Sequence, residues 1–435
     1  MQTLEIIHHI PAEQKGQYLL LPFEMPASTE RIDIEYTYPK NRDEQSDSEN
    51  GQFTAHERIN RIDLGLIAPD GSQVGASGSS RDVIFVSTTD ATPGYHSRPL
   101  DAGTWQIMLG AYVVSPDGVD VKINLRFTPK TRRWFKGDLH THTLASDGRL
   151  PLDHLARHAR EHGLDFIAVT DHNQPVKRAS FPKIPGLTII PGLEWTHYKG
   201  HSNFLGIEHP YEGSFFTNTE EETQQKFREA HKNGALISIN HPLESDFGFH
   251  FDLEKLPYNM IEVWNGPMRP RNIEAIGWWD QMLKAGKRQV AVCGSDYHED
   301  TVFQRLANPT LNVLAWSPSE KDLLEAIESG HSYFTYSPTD LHVDLYVEDA
   351  TYGVIKHWRE GLQATLNAFA LEACDQIRLI DQDGSRILFD APQKGDWQSN
   401  LKVMKPGYIR LEIWRTFFPG LPSMPALVTN PIWFD

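Results

Sequence analysis

Short apolar runs that end in a metal-ligand residue recur along the middle of the chain, and they constrain the fold more than any other feature. FIAVT (166–170) precedes Asp171-His172, LISIN (236–240) precedes His241, and QVAVCGS (289–295) precedes Asp296. Runs of this length, rich in β-branched residues, predict buried strands. Because the carboxyl ends of successive parallel strands meet at one mouth, the pattern predicts a barrel of alternating strands and helices.

The stretch GDLHTHTLASDG (137–148) holds the densest group of such residues. His140 and His142 lie two residues apart, so on an extended backbone both imidazoles face the same side and can bind one ion. Asp147 follows in a polar turn. Such a pair on its own is ordinarily two surface histidines, but the runs downstream, with Glu194 after LTII (187–190) and His201 in GHSNFLG, argue against that interpretation.

Six segments together resemble the successive motifs of the PHP (polymerase and histidinol phosphatase) metallohydrolases: GDLHTHTLASDG, AVTDHN, GLEWT, GHSNFLG, INHP and GSDYH. The resemblance covers roughly residues 134–340 and is strongest to the CehA/McbA-like branch. It implies an α/β fold, a distorted parallel (β/α) barrel of PHP type. This barrel would be flanked by an N-terminal β-sandwich and a small C-terminal β domain.

Three domains are predicted. Residues 1–130 carry alternating apolar and polar runs between turn signals, which favours a jelly-roll-like β-sandwich. Residues 131–338 form the barrel and residues 339–435 a second β-rich domain. The barrel segment contains four amphipathic helices, and Thr219 with Glu222 predicts a capping box on the second. These helices are predicted over 150–163, 219–234, 271–287 and 317–330.

The family resemblance implies nine metal ligands in three groups. The first group is His140, His142, Glu194 and Asp296; the second is a bridging Glu194 with His201 and His241; the third is Asp147, His172 and His298. Nitrogen and oxygen donors without a thiolate suit Zn, Mn or Fe. Two to three divalent transition-metal ions are therefore the expected cofactors.

The predicted catalytic residues are Glu194, Asp171, His298 and Arg149. Asp171 precedes His172 and is expected to orient a ligating histidine or a metal-bound water. Arg149 and Arg305 are candidates to grip an anionic group, with a solvated surface charge as an equal alternative for each. The amides of Asn203 and Asn240 flank ligands and are candidate substrate contacts.

Charge and composition limit the partners. The chain has 41 Lys+Arg against 58 Asp+Glu, a net charge of −17, which disfavours binding to nucleic acid and leaves a small molecule as the expected partner. Cys293 and Cys374 lie in strand-like runs and are predicted to be core residues. The sequence contains no secretory signal pattern and no apolar stretch of transmembrane length, so a cytoplasmic protein without membrane contact is expected.

The function expected from these features is hydrolysis by a metal-bridging hydroxide, with a small phosphomonoester or phosphodiester as substrate. The first alternative is a carboxylic ester or carbamate hydrolase on the same centre, which the tryptophans of the barrel segment keep open. The second is a non-catalytic, metal-containing binding module, against which the complete ligand set argues. The tryptophans in question are Trp195, Trp264, Trp278 and Trp279.

Overall fold

The structure, a computed structural model, describes residues 2–41 and 58–435. The chain divides into two compact units, Met1–Thr131 and Arg132–Asp435. The first boundary lies next to the predicted one at residue 130. The predicted boundary near residue 338 does not separate a further compact unit, because strands on both sides of it pair in one sheet.

The first unit is a sandwich of two four-stranded antiparallel sheets, ordered β1-β8-β3-β6 and β2-β7-β4-β5. Alternation along β8 directs Val121, Ile123 and Leu125 inward, and Trp105 from the facing sheet lies in the same core. The strands are β1 (Gln2–Ile10), β2 (Tyr18–Met25), β3 (Thr29–Thr37), β4 (Arg61–Ile67), β5 (Gln73–Ser77), β6 (Val83–Ser87), β7 (Gly103–Val113) and β8 (Val119–Pro129).

The second unit contains the remaining strands. Those of the central segment are β9 (Arg133–Asp138), β10 (Phe166–Val169), β11 (Thr188–His197), β12 (Gly200–Leu205), β13 (Leu236–Ile239), β14 (Met260–Asn265), β15 (Val290–Gly294), β16 (Thr310–Ala315) and β17 (Ser332–Thr335). Those that follow are β18 (His342–Val347), β19 (Ile355–Lys356), β20 (Gln363–Leu371), β21 (Gln376–Asp381), β22 (Gly384–Asp390), β23 (Gly395–Lys402), β24 (Gly407–Arg415), β25 (Met424–Thr429) and β26 (Ile432–Phe434).

Four α-helices lie within the second unit, each inside a predicted helical segment or offset from it by a residue: α1 (Leu152–Glu161), α2 (Glu220–Lys232), α3 (Pro270–Lys284) and α4 (Glu320–Glu328). The predicted capping box on α2 is confirmed, since the Thr219 side chain accepts from the Glu222 backbone and Glu222 caps the Thr219 backbone in return. None of the helices in the described part of the chain is long and apolar enough to cross a membrane.

The predicted α/β composition of the second unit is confirmed, but the strand pairing does not show the predicted distorted parallel (β/α) barrel. The large sheet runs β15-β14-β13-β12-β11-β10-β9-β16-β17-β25-β24-β21-β22, and along this order the parallel pairs are β9/β10, β10/β11, β13/β14 and β14/β15. Strand β26 also pairs with β24, and β19 with β26 in parallel. Strands β11 and β12 are joined by a tight turn in place of a crossover helix, which makes them antiparallel. Within the described residues, no backbone ladder joins β15 to a further strand, so the sheet is mixed and open.

Most of the run LTII belongs to β11, which continues through Pro191 to His197 and so contains Glu194. The Pro191 carbonyl accepts from the Gly206 amide at 2.8 Å. One local prediction changes. Cys293 is buried as predicted, whereas Cys374 is exposed. Cys374 lies in a turn before β21 with φ +69°, so it is not a core residue.

Candidate metal centre

The nine predicted ligands come together in the second unit. His140 and His142 follow β9, His172 follows β10, His241 follows β13, and Asp296 follows β15. The carboxyl ends of these strands lie at the same edge of the sheet, as expected for parallel strands. The other four ligands are Glu194, inside β11; His201, inside β12; and Asp147 and His298, in loops.

The ligand atoms form three groups, within each of which they lie no more than 4.8 Å apart. This grouping differs from the one that the resemblance implied in two respects. His142 belongs to two groups, and Glu194 lies with His201 and His241 but not with His140, His142 and Asp296. The groups are His142, Asp147, His172 and His298; His140, His142 and Asp296; and Glu194, His201 and His241.

The Glu194 carboxylate lies at the centre of the cluster and is buried. Its Oε1 is 3.2 Å from His140 Nε2 and 3.2 Å from His201 Nδ1, and its Oε2 is 2.8 Å from His172 Nδ1. His241 Nε2 is 3.5 Å from Oε1, and the Asn240 amide donates to Oε1 at 2.9 Å. Histidines of all three groups therefore lie around this one carboxylate, as a bridging ligand requires.

Three histidines have their Nδ1 next to an acceptor. His140 Nδ1 lies 3.0 Å from Glu262 Oε1, and His298 Nδ1 lies 2.8 Å from the Asp296 carbonyl. His172 Nδ1 lies 2.6 Å from the Thr196 hydroxyl and 2.8 Å from Glu194 Oε2. An N–H at each Nδ1 satisfies these acceptors and leaves the Nε2 lone pair of the neutral ring pointing inward.

Each inward lone pair faces carboxylate oxygen. His140 Nε2 is 3.3 Å from Asp296 Oδ1, His298 Nε2 is 3.2 Å from Asp147 Oδ1, and His172 Nε2 is 3.5 Å from Asp147 Oδ2. A lone pair against a carboxylate is repulsive unless a cation lies between them or the ring takes up a proton. The arrangement is therefore suited to cations.

Several buried polar atoms of the centre have no hydrogen-bond partner within the described residues. They are His140 Nε2, His142 Nδ1, His241 Nδ1 and Glu194 Oε2. Buried polar atoms are normally paired, and one left unpaired costs about 1–3 kcal/mol. Four such atoms in one cluster of nitrogen and oxygen donors fit divalent transition-metal ions.

Without metal, the carboxylates and histidines of the centre stabilise each other's charged forms. Burial lowers the pKa of His140, but Asp296, Glu262 and Glu194 outweigh it and raise the pKa well above its ordinary value. Burial raises the pKa of Glu194, yet the charge of His140 and the neighbouring His172 and His201 rings bring it well below the usual range. Metal ions that bind here would displace protons from the rings.

Two ligands have backbones in the left-handed region, which side chains other than glycine rarely adopt. His241 has φ +29° and Asp296 has φ +52°. Such conformations cost about 1–3 kcal/mol each and persist where the surroundings hold them. The Glu262 carboxylate accepts from the His241 backbone at 3.1 Å and holds that turn in place.

Glu262 is a functional residue that sequence reasoning missed. It lies inside β14, is buried, and contacts the His140 ring, the His241 backbone and the Asn265 amide, the last at 3.0 Å. A lone acidic residue in the otherwise apolar run MIEVWN was the available signal. Charged residues are almost never buried without a partner, so its position in a predicted core strand pointed to one.

Asp138 forms hydrogen bonds with two of the segments that carry ligands. Its carboxylate accepts from the His140 backbone at 3.2 Å, from the Ser295 backbone at 3.0 Å, and from the Ala307 backbone at 2.8 Å. Burial raises the pKa of Asp138 to about 6, and these hydrogen bonds oppose the rise. The residue positions His140 and the segment that carries Asp296.

Asp171 holds the loop that carries Asp147. Its carboxylate accepts from the Thr143 backbone at 2.7 Å, the Thr143 hydroxyl at 2.8 Å and the Ser146 hydroxyl at 2.7 Å. These contacts engage both oxygens with the loop, whereas the sequence led us to expect a contact with a ligating histidine or a metal-bound water. The Asp171 side chain thus contacts the loop that carries Asp147, and its predicted catalytic role stays a prediction.

The candidate substrate residues are placed differently from one another. The Arg149 side chain is 72% exposed and lies 3.7 Å from Glu299, in a cleft of about 460 Å³, while its backbone donates to the His298 carbonyl. Arg305 is exposed. Asn203 is buried, with its amide nitrogen donating to the Leu139 carbonyl and its oxygen unpaired within the described residues.

The tryptophans considered as an aromatic pocket do not form one at the centre. Trp195, Trp264 and Trp279 are fully buried among the core residues, and Trp278 packs against the same core. Their side chains fill the interior between sheet and helices because strands that are buried on both faces carry large apolar residues. An exposed aromatic ring does lie at the centre, and it is Phe247.

No protein-family model and no curated protein sequence matches this chain. Among solved structures, it is similar to a two-domain protein of Bacteroides vulgatus that contains a predicted PHP-like metal-dependent phosphoesterase. The identity is 17% and the TM-score 0.40, over 69% of this chain and 95% of that one.

Two further structures are similar over smaller shares of the chain. A candidate metal-dependent phosphoesterase of Bifidobacterium adolescentis has 13% identity and a TM-score of 0.29, over 44% of this chain and 94% of its own. An amidohydrolase of Chromobacterium violaceum, with bound sulfate and no metal, has 15% identity and a TM-score of 0.27, over 39% and 94%. The structural neighbours thus include PHP-like metal-dependent phosphoesterases, and none of the three descriptions names the CehA/McbA-like branch.

Proposed function

We propose that this protein is a metal-dependent hydrolase of small phosphate esters, with two to three divalent transition-metal ions in the centre. The observation that carries the proposal is the set of histidines whose outer nitrogens are hydrogen-bonded while their inner nitrogens face carboxylates. That arrangement suits neutral rings that bind cations. The motif resemblance to the PHP metallohydrolases supports the same function.

The chain's residues divide into ligands and residues that position them. Bound divalent ions would lower the pKa of a water and neutralise phosphoryl oxygen. His140, His142 and Asp296 would hold one ion, and Glu194 would bridge to the ion of His201 and His241. Glu262, Asp138 and Asp171 hold these ligands in place through the contacts described above.

The third group favours phosphoryl over acyl transfer. Asp147, His172 and His298 add a further candidate cation site on the more open side of the cluster. Several cations in one mouth match the charge that develops on the equatorial oxygens of a phosphoryl group better than the single oxyanion of an acyl transfer. His298 and Asp147 would then lie next to the substrate, and Arg149 would contact only a group that extends into its cleft.

A carboxylic ester or carbamate hydrolase on the same centre is the second candidate. It is favoured by the position of Arg149 and Arg305, whose side chains are exposed and, within the described residues, form no ion pair with a ligand carboxylate. If neither arginine reaches the substrate, a phosphate group would be bound by the metal ions alone. The exposed Phe247 ring suits an apolar substrate of either class.

The experiment is a substrate panel on protein loaded with Zn, Mn or Fe. Phosphomonoesters, phosphodiesters, aryl carboxyl esters and carbamates are compared by kcat/KM, with inorganic phosphate as inhibitor. We expect phosphoesters to be preferred, phosphate to inhibit competitively, and Asp147→Ala to lower phosphoester turnover by about 10²-fold or more, as expected for loss of a group that stabilises the transition state.

Asp153→Ala is the matched control, because Asp153 is a partly exposed carboxylate on α1 that pairs with Arg157. It should leave turnover unchanged. Metal-loaded protein that ignores phosphoesters and phosphate but cleaves carboxyl esters or carbamates would establish the second candidate in place of the first.

A further inference from the structure

Phe247 is an exposed aromatic residue beside a buried polar centre. Its side chain is 53% exposed, and its ring centroid lies 6.1 Å from that of His201 and 6.3 Å from that of His241. Both histidines belong to the Glu194 group. A large apolar side chain left in water next to a site of this kind is typical of a ligand contact.

The exposure of Phe247 does not come from a loose loop. A Cβ on Gly248 would lie 2.4 Å from the Glu244 carbonyl oxygen, so the chain passes close to itself at that glycine. The Phe249 backbone donates to the Pro242 carbonyl at 2.9 Å, and Glu244 pairs with Arg269 at 2.8 Å. The loop is held on both sides of Phe247, which keeps the ring beside the centre.

Phe247 lies at the end of the centre that holds His201 and His241. Both of these rings are within 6.3 Å of the Phe247 ring, centroid to centroid, and both lie beside Glu194. Glu194 and His140 are buried, whereas Phe247 is exposed, so the ring lies where the buried cluster meets solvent. A phosphate bound by ions at His201 and His241 would therefore have its organic group within reach of Phe247.

We infer that Phe247 contacts the organic part of the substrate and makes the centre prefer phosphate esters whose leaving group carries an aryl or similarly broad apolar group. This inference rests on the proposed function and names the substrate class. An aromatic pair contributes binding free energy beyond that of the apolar area it buries. With burial of apolar area added, removal of the ring is expected to weaken the preference by about tenfold, which is 1.4 kcal/mol.

The test compares benzyl phosphate with methyl phosphate, since their leaving alcohols have similar acidity. The full-length, metal-loaded protein is assayed for kcat/KM on both. The dissociation constants of benzylphosphonate and methylphosphonate, which are not hydrolysed, are measured by calorimetry. We expect the wild type to favour the benzyl compound in both measurements, and Phe247→Ala to reduce each ratio by about tenfold, mainly through KM and Kd. Phe247→Leu should lie between the two.

Phe418→Ala is the matched control, because Phe418 is an exposed phenylalanine outside the ligand loops. It should leave both ratios unchanged. Hydrolysis of both phosphates with the same ratio in the wild type and Phe247→Ala contradicts the inference and leaves the proposed function standing. A metal-loaded wild type that hydrolyses neither of these phosphates nor any other phosphoester of the substrate panel contradicts the proposed function, and the inference falls with it.

Discussion

At the scale of single residues, the orientation of the ligand histidines depends on the hydrogen-bond acceptors next to their Nδ1 atoms. Glu262, the Thr196 hydroxyl and the Asp296 carbonyl each accept from an Nδ1, so each directs a lone pair inward. Two of these acceptors belong to residues that are not ligands. The outer hydrogen bonds of metal-binding histidines fix the tautomer and orient the ring.

Glu262→Gln tests this role. A glutamine has one oxygen, so it cannot accept from the His140 ring and also from both the His241 backbone and the Asn265 amide on its other side. We expect the affinity for the metal to fall by about 10–100-fold. Competition with a chelating dye measures the affinity, and circular dichroism follows the fold.

Glu328→Gln is the control for this substitution. Glu328 is exposed and accepts from the Asn259 amide at 2.8 Å, far along the chain from the ligand loops. Its replacement should not change the affinity. An unaltered metal affinity in a folded Glu262→Gln protein would mean that Glu262 does not position His140.

At the scale of elements, the open edge of the sheet is completed by one side chain. Asn430 lies between β25 and β26 and is buried. Its oxygen accepts from the Ala291 backbone at 3.0 Å, and its nitrogen donates to the Ala291 carbonyl at 2.9 Å. It also donates to the Ser332 hydroxyl at 2.9 Å. The amide thus gives β15 the two bonds that a neighbouring strand would supply.

Asn430→Asp should destabilise the second unit. A carboxylate cannot donate to the Ala291 carbonyl, and it would be a buried charge without a cationic partner among its recorded contacts. We expect the free energy of unfolding to fall by about 2–4 kcal/mol. Urea unfolding followed by tryptophan fluorescence measures the change.

Asn400→Asp provides the comparison, because Asn400 is an exposed residue on β23. Its unfolding midpoint should stay within the error of the wild type. Equal midpoints for both variants would show that the Asn430 amide does not stabilise the edge of β15.

At the scale of the whole molecule, the structural features that could be predicted are those that depend on neighbouring residues in the sequence. Each ligand that follows a strand is signalled by the apolar run before it, and the capping box of α2 by Thr219 and Glu222. Sheet order is different, because it depends on pairing between distant segments. Strand β9 pairs with β16 across most of the second unit, and no local pattern predicts that contact.

The same limit explains the residues that were missed. Glu262 is informative only once β14 is known to be buried next to the end of β9, and Asn430 only once β15 is known to have an open side. The sheet is mixed because β11 and β12 form a hairpin and β9 pairs antiparallel with β16, where the sequence pattern predicted parallel strands. Local periodicity identifies elements, while tertiary pairing decides their neighbours.

Metal binding is expected to slow hydrogen exchange in the second unit of the molecule and not in the first. All nine candidate ligands, and Glu262, belong to Arg132–Asp435. An ion that binds only the native state stabilises it by RT ln(1 + [L]/Kd), about 2.7 kcal/mol at a concentration 100 times Kd. Hydrogen exchange on the full-length chain, with and without saturating metal, should therefore slow by about tenfold or more in peptides around residues 139–148, 240–247 and 294–299.

Peptides from residues 2–41 and 58–131 should exchange at the same rate in both samples, since the sandwich has its own core and contributes no ligand among its described residues. Glu194→Gln is the matched variant: its amide cannot bridge two cations with comparable charge, so the same metal should protect the ligand loops less. If metal slows exchange equally in both units, or in neither, then the ions do not bind at the Glu194 cluster in the way that its geometry supports.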